Sequence, residues 1–398
     1  MNPSRILALA LLLSGIATGH SQNAPIEIAK ERQREGAKLP VEEQAAIERA
    51  KAEMPKRPDA GSPAPGADGL DWDKAKTLFR RSQAGEKLSA EEQAYLDRAK
   101  AARNRGGGGG GTPANQRQAP SSLKPLSDMN AGDRYEGEDG GLYGGGKNTP
   151  PDSLVKSASA ALAQIKPIDG KVVFVSISMS NATMEFSTFK RVADGDPRKS
   201  PQLTIVDCAQ GGQAMAEWVN PEGRPWQEAM NRIANAKVTP AQVQVAWIKL
   251  ANKGPGGSMQ EHLTKLEADT TKVLQNAKAK FPNLRIAYLG SRIWAGHAKG
   301  GLNPEPYAYE SAFGARHLIQ QQMKGEAALA ADKVPLLLWG PYLWAEGTKG
   351  RTFDSLKWEP QDFAGDGVHP SDSGRMKVAK LLLEFFATDP LAKGWFAK

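Results

Sequence analysis

Five short runs of apolar residues, separated by longer segments with helical periodicity, most restrict the fold of this chain. The runs are rich in valine, isoleucine and leucine. Continuous apolar strands that alternate with helices predict a parallel sheet covered by helices on both faces. The five predicted strands cover residues 172–177, 203–206, 243–248, 285–289 and 335–339.

Between and after these runs, apolar residues recur at the three- and four-residue spacing of amphipathic helices. Clear examples are residues 259–280, residues 307–324 and a final helix at residues 371–386. The chain is therefore predicted to be an α/β protein, with a three-layer α/β/α sandwich built around a five-stranded parallel sheet.

The first residues have the pattern of an export signal. One arginine precedes a short apolar run at residues 6–13, and small residues follow it. The run is too short to span a bilayer as a helix. We expect residues 1–21 to be a signal peptide, and the protein to be secreted or periplasmic without a transmembrane segment.

A polar region at residues 22–105 contains an internal repeat, in which residues 36–52 resemble residues 85–101. In each copy a Pro or Ser opens a predicted helix with glutamates in its first turn. Two short copies bury little apolar surface. We interpret this polar helical region as a tether or a weak protein-binding or cell-surface module, with a solvated spacer as the alternative. A Gly/Pro-rich linker at residues 106–124 connects it to a globular domain at residues 125–398.

Composition excludes several classes of site. Cys208 is the only cysteine, so no intrachain disulfide forms. We interpret it as a small buried residue at a strand end. His262, His297 and His317 lack ligand spacing with cysteines or carboxylates, so neither a metal nor a cofactor is predicted. The net charge of +8 is compatible with anionic polysaccharides. Nucleic acid is not expected, because basic and acidic residues are interspersed.

Polar residues follow the predicted strands at the edge where parallel sheets bind ligands. Ser180 follows the first strand, Gly212 the second and Asn252 the third, and Asp366 and His369 precede the last helix. The carboxyl ends of parallel strands lie at the same edge. We therefore expect these five residues to lie close together.

The residue types suit nucleophilic catalysis. Asp366 can orient the imidazole of His369, whose other nitrogen then takes the proton of Ser180. Gly212 lets a backbone N–H approach a substrate oxygen, and Asn252 adds a side-chain N–H. Each residue alone is common in caps and turns. Together, and in this order, they predict a serine hydrolase.

This order of residues resembles that of the SGNH hydrolase superfamily, also called GDSL esterases, in a divergent secreted branch. The resemblance covers roughly residues 170–387, and its best block is Asp-Gly-Val-His-Pro-Ser at residues 366–371. It implies a flavodoxin-like five-stranded sheet and a hydrolase acting on ester bonds.

The resemblance also assigns roles. It makes Ser180 the nucleophile, His369 the general base and then general acid, and Asp366 the group that orients the imidazole. The implied oxyanion hole consists of the backbone N–H groups of Ser180 and Gly212 and the side-chain amide of Asn252.

Two blocks depart from the family pattern. The first usually contains Gly-Asp-Ser, where this chain has Ser178, Met179 and Ser180. The third usually has glycine where Leu250 stands. The missing aspartate puts the anchoring of the loop in doubt more than the chemistry. Ser178 is a lesser candidate for the nucleophile, because it lies within the predicted strand.

We expect the substrates to be O-acyl esters, most simply O-acetyl groups on carbohydrate. The candidate substrate-binding residues are Asn181, Arg292, Trp294, Tyr307, Glu310 and Trp344. Two alternatives stay open: a lipid or lysophospholipid esterase, and a catalytically silent carbohydrate-binding or cell-surface module on the same fold.

Overall fold

The computed structural model describes residues 71, 74–75, 77–78, 88–106, 117, 120 and 122–398. The predicted signal peptide and the first copy of the repeat lie outside the described residues. The chain divides into two units between Ala99 and Lys100, and each is considered by itself. None of the described helices is long and apolar enough to cross a membrane.

The second copy of the repeat contains a helix, α1, at Ala90–Gly106. The Ser89 hydroxyl accepts the Glu92 N–H at 3.1 Å, and the Glu92 carboxylate accepts the Ser89 N–H at 2.9 Å. This reciprocal pair is a capping box, which satisfies two backbone donors at the helix start. The helix therefore starts where the serine and the glutamates predict.

The second unit contains a five-stranded sheet in which every neighbouring pair is parallel. The strand order is β2-β1-β3-β4-β5, the flavodoxin-like order. The predicted fold class is therefore confirmed. The strands are β1 Val172–Ser178, β2 Leu203–Asp207, β3 Val243–Lys249, β4 Ile286–Leu289 and β5 Leu336–Trp339.

Helices cover both faces of this sheet. They are α2 Asp152–Leu162, α3 Ser180–Asp194, α4 Met215–Val219, α5 Arg224–Asn235, α6 Met259–Lys280, α7 Tyr307–Met323, α8 Asp372–Thr388 and α9 Lys393–Phe396. Helix α3 packs against α8, and α6 packs against α7 and α4. Crossovers between parallel strands are right-handed, so the α3–α8 pair and the α6–α7 pair lie on opposite faces.

Aromatic residues fill the interior between β1 and the α3–α8 layer. The ring of Phe174 on β1 lies 5.1 Å from Phe186 on α3 and 4.8 Å from Phe386 on α8, measured between centroids. All three side chains are fully buried. Edge-to-face contacts of this kind add to the stabilisation from burial. They hold α3, whose first residue is Ser180, firmly on the sheet.

Candidate active site

Ser180 is the first residue of α3, immediately beyond the carboxyl end of β1. Met179, the residue before it, has extended backbone dihedral angles, so the chain turns sharply from strand into helix. The first N–H groups of a helix have no partner within the helix, and the helix dipole makes this end positive. The position favours a hydroxyl that acquires negative charge.

The loop before α8 brings an imidazole to this serine. The Nε2 atom of His369 lies 2.7 Å from the Ser180 hydroxyl oxygen. The Nδ1 atom of His369 lies 2.5 Å from Oδ2 of Asp366. A carboxylate on one ring nitrogen selects the tautomer in which the other nitrogen is free to accept a proton. The three side chains therefore form a continuous hydrogen-bonded chain.

Asp366 is held in its ionised form. Its half-burial alone would raise the pKa of this carboxyl, but hydrogen bonds from the side chain and backbone of His369 and from the Val368 N–H lower it well below its ordinary value. The Asn181 amide, itself buried, donates to the Val368 carbonyl at 2.8 Å. Asn181 thus holds the loop of Asp366 and His369 against α3.

Gly367 lies between Asp366 and His369, and its surroundings require a glycine. Its φ of +71° lies in the left-handed region, and a Cβ there would be 1.8 Å from the carbonyl oxygen of His297. The Lys299 N–H also donates to the Asp366 carbonyl at 3.1 Å. The loop after β4 therefore braces the loop that carries the imidazole.

The loop after β2 contains Gly212 in a left-handed conformation, with φ of +79°. No atom lies within 4 Å of the position a Cβ would occupy on Gly211 or Gly212, so the backbone here is accessible. The Gly212 carbonyl accepts a hydrogen bond from the Lys253 ammonium group at 2.9 Å, which holds this peptide. The arrangement leaves room for a substrate oxygen to approach a backbone donor.

Asn252 follows β3, and its side-chain amide is already oriented. Its Nδ2 donates to Oδ2 of Asp269 on α6 at 3.0 Å. An amide nitrogen carries two hydrogens, so the second remains available for another acceptor. Asp269 is 8% exposed and also accepts from Lys265 at 2.7 Å. Sequence reasoning missed Asp269, because one aspartate on an amphipathic helix resembles a solvated residue.

Asp207, the last residue of β2, anchors the loop after β1 and the loop after β2. Its carboxylate accepts the hydroxyl of Ser176 on β1 and those of Thr183 and Ser187 on α3, each at 2.6 Å. The Ser176 hydroxyl in turn accepts the Ala209 N–H at 3.0 Å. These bonds connect α3 to the loop that contains Gly212.

A fully buried ion pair also links the site elements. The Lys249 ammonium group at the end of β3 binds the Glu185 carboxylate on α3, and neither side chain is exposed. Burial lowers the pKa of Lys249 to about 8, and the Glu185 charge opposes this shift. The pair joins the helix that starts at Ser180 to the strand that leads to Asn252.

Two other side chains near Ser180 could in principle act as nucleophiles, but both are buried: Ser178 and Cys208. Ser178 is fully buried at the end of β1, and its hydroxyl donates to the Lys249 carbonyl. Cys208 is fully buried, and burial raises the pKa of its thiol. Both positions suit structural roles. Among the described residues, no group of three His, Cys, Asp or Glu side chains could hold a metal ion.

Four of the six candidate substrate-binding residues lie in the interior: Arg292, Tyr307, Glu310 and Trp344. Tyr307 and Trp344 are fully buried. Glu310 is fully buried as well and binds His262, Tyr135 and Arg117.

Arg292 is 2% exposed, and Trp294 is partly buried. Burial lowers the pKa of Arg292, and the nearby carboxylates of Glu185 and Glu305 oppose this shift. Of the six candidates, Asn181 binds the loop that carries His369, and Trp294 and Trp344 line an open cleft.

Glu305, beside this cleft, carries a strongly perturbed carboxyl. It accepts the N–H groups of Ala295 at 2.8 Å and Tyr309 at 3.0 Å, and the indole N–H of Trp344 at 2.8 Å. Burial nevertheless raises its pKa to about 7, from an ordinary value of 4.5. Between these two pH values the folded protein retains a proton that the unfolded chain releases.

The contribution of Glu305 to stability is therefore expected to decrease as pH rises from about 4.5 to 7. Relative to Glu305→Gln, the wild type should lose on the order of 1–3 kcal/mol of unfolding free energy across this window. Urea unfolding of both proteins at several pH values measures the difference. Parallel curves for the two proteins would show that the carboxyl does not titrate in this window.

Comparison with known proteins gives only distant likenesses. No family model and no curated protein matches the sequence. A GDSL-like lipase from Bacteroides thetaiotaomicron is 11% identical with a TM-score of 0.30, covering 58% of this chain and 95% of that chain. A protein from Arabidopsis thaliana is 12% identical with a TM-score of 0.30, covering 49% and 63%. A gut microbial diltiazem-metabolizing enzyme is 13% identical with a TM-score of 0.32, covering 58% and 48%. Likenesses this weak carry no argument about activity.

Proposed function

We propose that this protein is a serine esterase that hydrolyses O-acyl esters, with Ser180, His369 and Asp366 as its catalytic groups. The observation that carries the proposal is the hydrogen-bonded chain from hydroxyl to imidazole to carboxylate, with distances of 2.7 Å and 2.5 Å. A nucleophile within reach of a base, which is itself oriented by a third group, is the signature of nucleophilic catalysis.

In the first step, Nε2 of His369 takes the Ser180 proton as the hydroxyl oxygen attacks the ester carbonyl carbon. The carbonyl π electrons move to the oxygen and form a tetrahedral oxyanion. Collapse of this intermediate breaks the bond to the alcohol, which leaves with the proton from the imidazolium. Asp366 stays ionised throughout and stabilises the imidazolium.

In the second step, water replaces the alcohol. The imidazole takes one proton from water, the hydroxide attacks the acyl carbon, and the resulting oxyanion expels the Ser180 oxygen. His369 returns the proton to that oxygen, and the carboxylic acid leaves.

Three donors are proposed to stabilise the oxyanion: the backbone N–H groups of Ser180 and Gly212 and the second amide hydrogen of Asn252. The start of α3 supplies the positive end of its dipole at the same place. Removing one such donor typically lowers kcat about 10²–10³-fold.

The bond from Asn252 to Asp269 makes a specific prediction. Asn252→Ala should lower kcat on p-nitrophenyl acetate by about 10²-fold. Asp269→Ala should lower it by about tenfold, because the amide loses its orientation while remaining present. The double variant should resemble Asn252→Ala alone, since both changes disable one donor.

Lys265→Ala is the matched control for this cycle. It removes the other partner of Asp269, and the Lys265 side chain is 66% exposed, so kcat should change little. Losses that multiply in the double variant would mean that Asp269 does not act through Asn252.

A short acyl group, such as acetyl, is the proposed acyl donor, and carbohydrate its carrier. An esterase for long acyl chains needs an exposed apolar trough. Among the described residues, the large hydrophobic side chains that are exposed are Leu302, Met323 and Phe353. Export, as expected from residues 1–21, would place the protein among extracellular polysaccharides.

Hydrolysis of p-nitrophenyl acetate and p-nitrophenyl octanoate by the purified protein tests the proposal. We expect turnover of the acetate ester, with kcat/KM at least about tenfold above that of the octanoate. Preference for the octanoate would indicate a lipid esterase. Absence of hydrolysis of both esters would indicate a silent module.

A further inference from the structure

A cleft of about 570 Å³ lies at the same edge of the sheet as Ser180. It is bounded by the loop after β4, the loop after β5, and by Pro120, Ser122 and Leu123. Small-molecule sites commonly have volumes of about 300–1,000 Å³ and occur beyond the carboxyl ends of parallel strands. The cleft therefore has the size and the place of a ligand site.

The cleft shares a wall with the loop that carries the imidazole. The Trp294 ring, which lines the cleft, lies 6.0 Å from the ring of Phe363, the first residue of that loop. His297 also lines the cleft, and its ring lies 5.9 Å from Phe363. The backbone carbonyl of His297 lies so close to Gly367, next to Asp366, that no side chain would fit at position 367. A group bound in the cleft is held directly beside the catalytic loop.

The lining of the cleft combines polar side chains with the indole rings of Trp294, Trp344 and Trp358, of which Trp294 is partly exposed. His297 and Lys349 are exposed, and the Lys349 side chain is 70% exposed. Thr348 also lines the cleft and is exposed. Donors around an aromatic ring suit a ligand that carries several oxygen atoms on a ring. A long acyl chain would instead require a continuous apolar wall.

One wall of the cleft comes from residues that precede the predicted domain start at residue 125. The Glu346 carboxylate accepts the Leu123 N–H at 2.6 Å and the Ser122 hydroxyl at 3.1 Å. Farther along, the Tyr342 hydroxyl accepts the Leu126 N–H at 3.0 Å. These bonds hold Ser122 and Leu123, which were assigned from sequence to a Gly/Pro-rich linker, in the wall of the cleft.

We infer that this cleft binds the sugar ring of the acylated substrate, with Ser122 and Leu123 as part of one wall. The inference rests on the proposed esterase function and specifies where the alcohol part of the ester is recognised. Ser180 would attack an acyl group on a ring held between Trp294, Lys349 and this wall.

The test compares a substrate that has a sugar ring with one that lacks it. We would measure kcat/KM on glucose pentaacetate and on p-nitrophenyl acetate, and take the ratio. In Trp294→Ala this ratio should fall about tenfold, equivalent to about 1.4 kcal/mol of ring recognition. Lys349→Ala, at an exposed position that does not endanger folding, should lower it about threefold. Glu346→Ala should lower the ratio as well, because this change releases Ser122 and Leu123 from the cleft wall.

Phe353→Ala is the matched control. Phe353 is an aromatic residue that is 64% exposed and does not line the cleft, so the ratio should not change. An unchanged ratio in both the Trp294 and Lys349 variants would overturn the inference while leaving the esterase intact. So would a wild type that hydrolyses p-nitrophenyl acetate but not glucose pentaacetate. A wild type that hydrolyses neither ester would contradict the proposed function itself.

Discussion

Ser180→Ala is expected to lower kcat on p-nitrophenyl acetate by at least about 10⁴-fold, because the atom that forms the acyl-enzyme is removed. The free energy of unfolding should change by no more than about 1–2 kcal/mol. Only one partly buried hydroxyl and its bond to His369 are lost. Steady-state kinetics and urea unfolding of the same preparation measure both quantities.

Ser178→Ala is the matched control, two residues earlier in the chain. Its hydroxyl is buried and bonded to the Lys249 carbonyl, so its removal should cost stability while leaving the acylation chemistry in place. Wild-type turnover in the Ser180 variant, or loss of chemistry only in the Ser178 variant, would refute the assignment of the nucleophile.

Glu185→Ala is expected to destabilise the fold by about 3–5 kcal/mol, because it leaves the Lys249 charge buried without its partner. Replacing both residues, as Glu185→Leu with Lys249→Met, should restore much of that loss. A well-packed apolar pair often matches a buried ion pair in stability. Urea unfolding near pH 7 gives the three free energies.

The pair of Lys190 and Asp194, on the same helix, is the control for this measurement. Its side chains are 44% and 40% exposed, so Lys190→Ala should change stability by less than about 0.5 kcal/mol. If Glu185→Ala lost as little unfolding free energy as Lys190→Ala, the buried pair would contribute no more to stability than a surface pair. A double variant as unstable as the single variant would point to packing rather than charge.

The sheet could be predicted from sequence because each strand is buried on both faces. β1 and β3, for example, are buried along their whole length and appear as mainly apolar runs, each interrupted by one polar residue, whose observed bounds lie within one residue of the predicted ones. α2 gave no such signal. Only Leu154 and Ala158 on it are buried, too few to make a recognisable helical period.

The candidate site could be assembled from sequence only in outline. The rule that ligands lie beyond the carboxyl ends of parallel strands explains why Ser180 and His369, 189 residues apart, could be placed together. The rule locates strand ends and says nothing about helix rotation. Asp269 could therefore not be predicted as a site residue, because its contact with Asn252 depends on which side of α6 faces the loop after β3.

Burial of polar residues was the other quantity that sequence could not supply. Glu310 looks like a typical surface glutamate in the first turn of α7, yet it is fully buried. Its partner Arg117 lies 193 positions away, and no local pattern links two such residues. The same long-range bonding explains why Arg117 and Leu123, expected to lie in a linker, contribute to the α/β unit.

The most direct test of the nucleophile is covalent labelling with a fluorophosphonate, followed by mass spectrometry of the intact protein and of its peptides. Our account predicts one adduct per chain, located on Ser180, and no adduct in Ser180→Ala. An unlabelled wild type, or an adduct on any other residue, would contradict it.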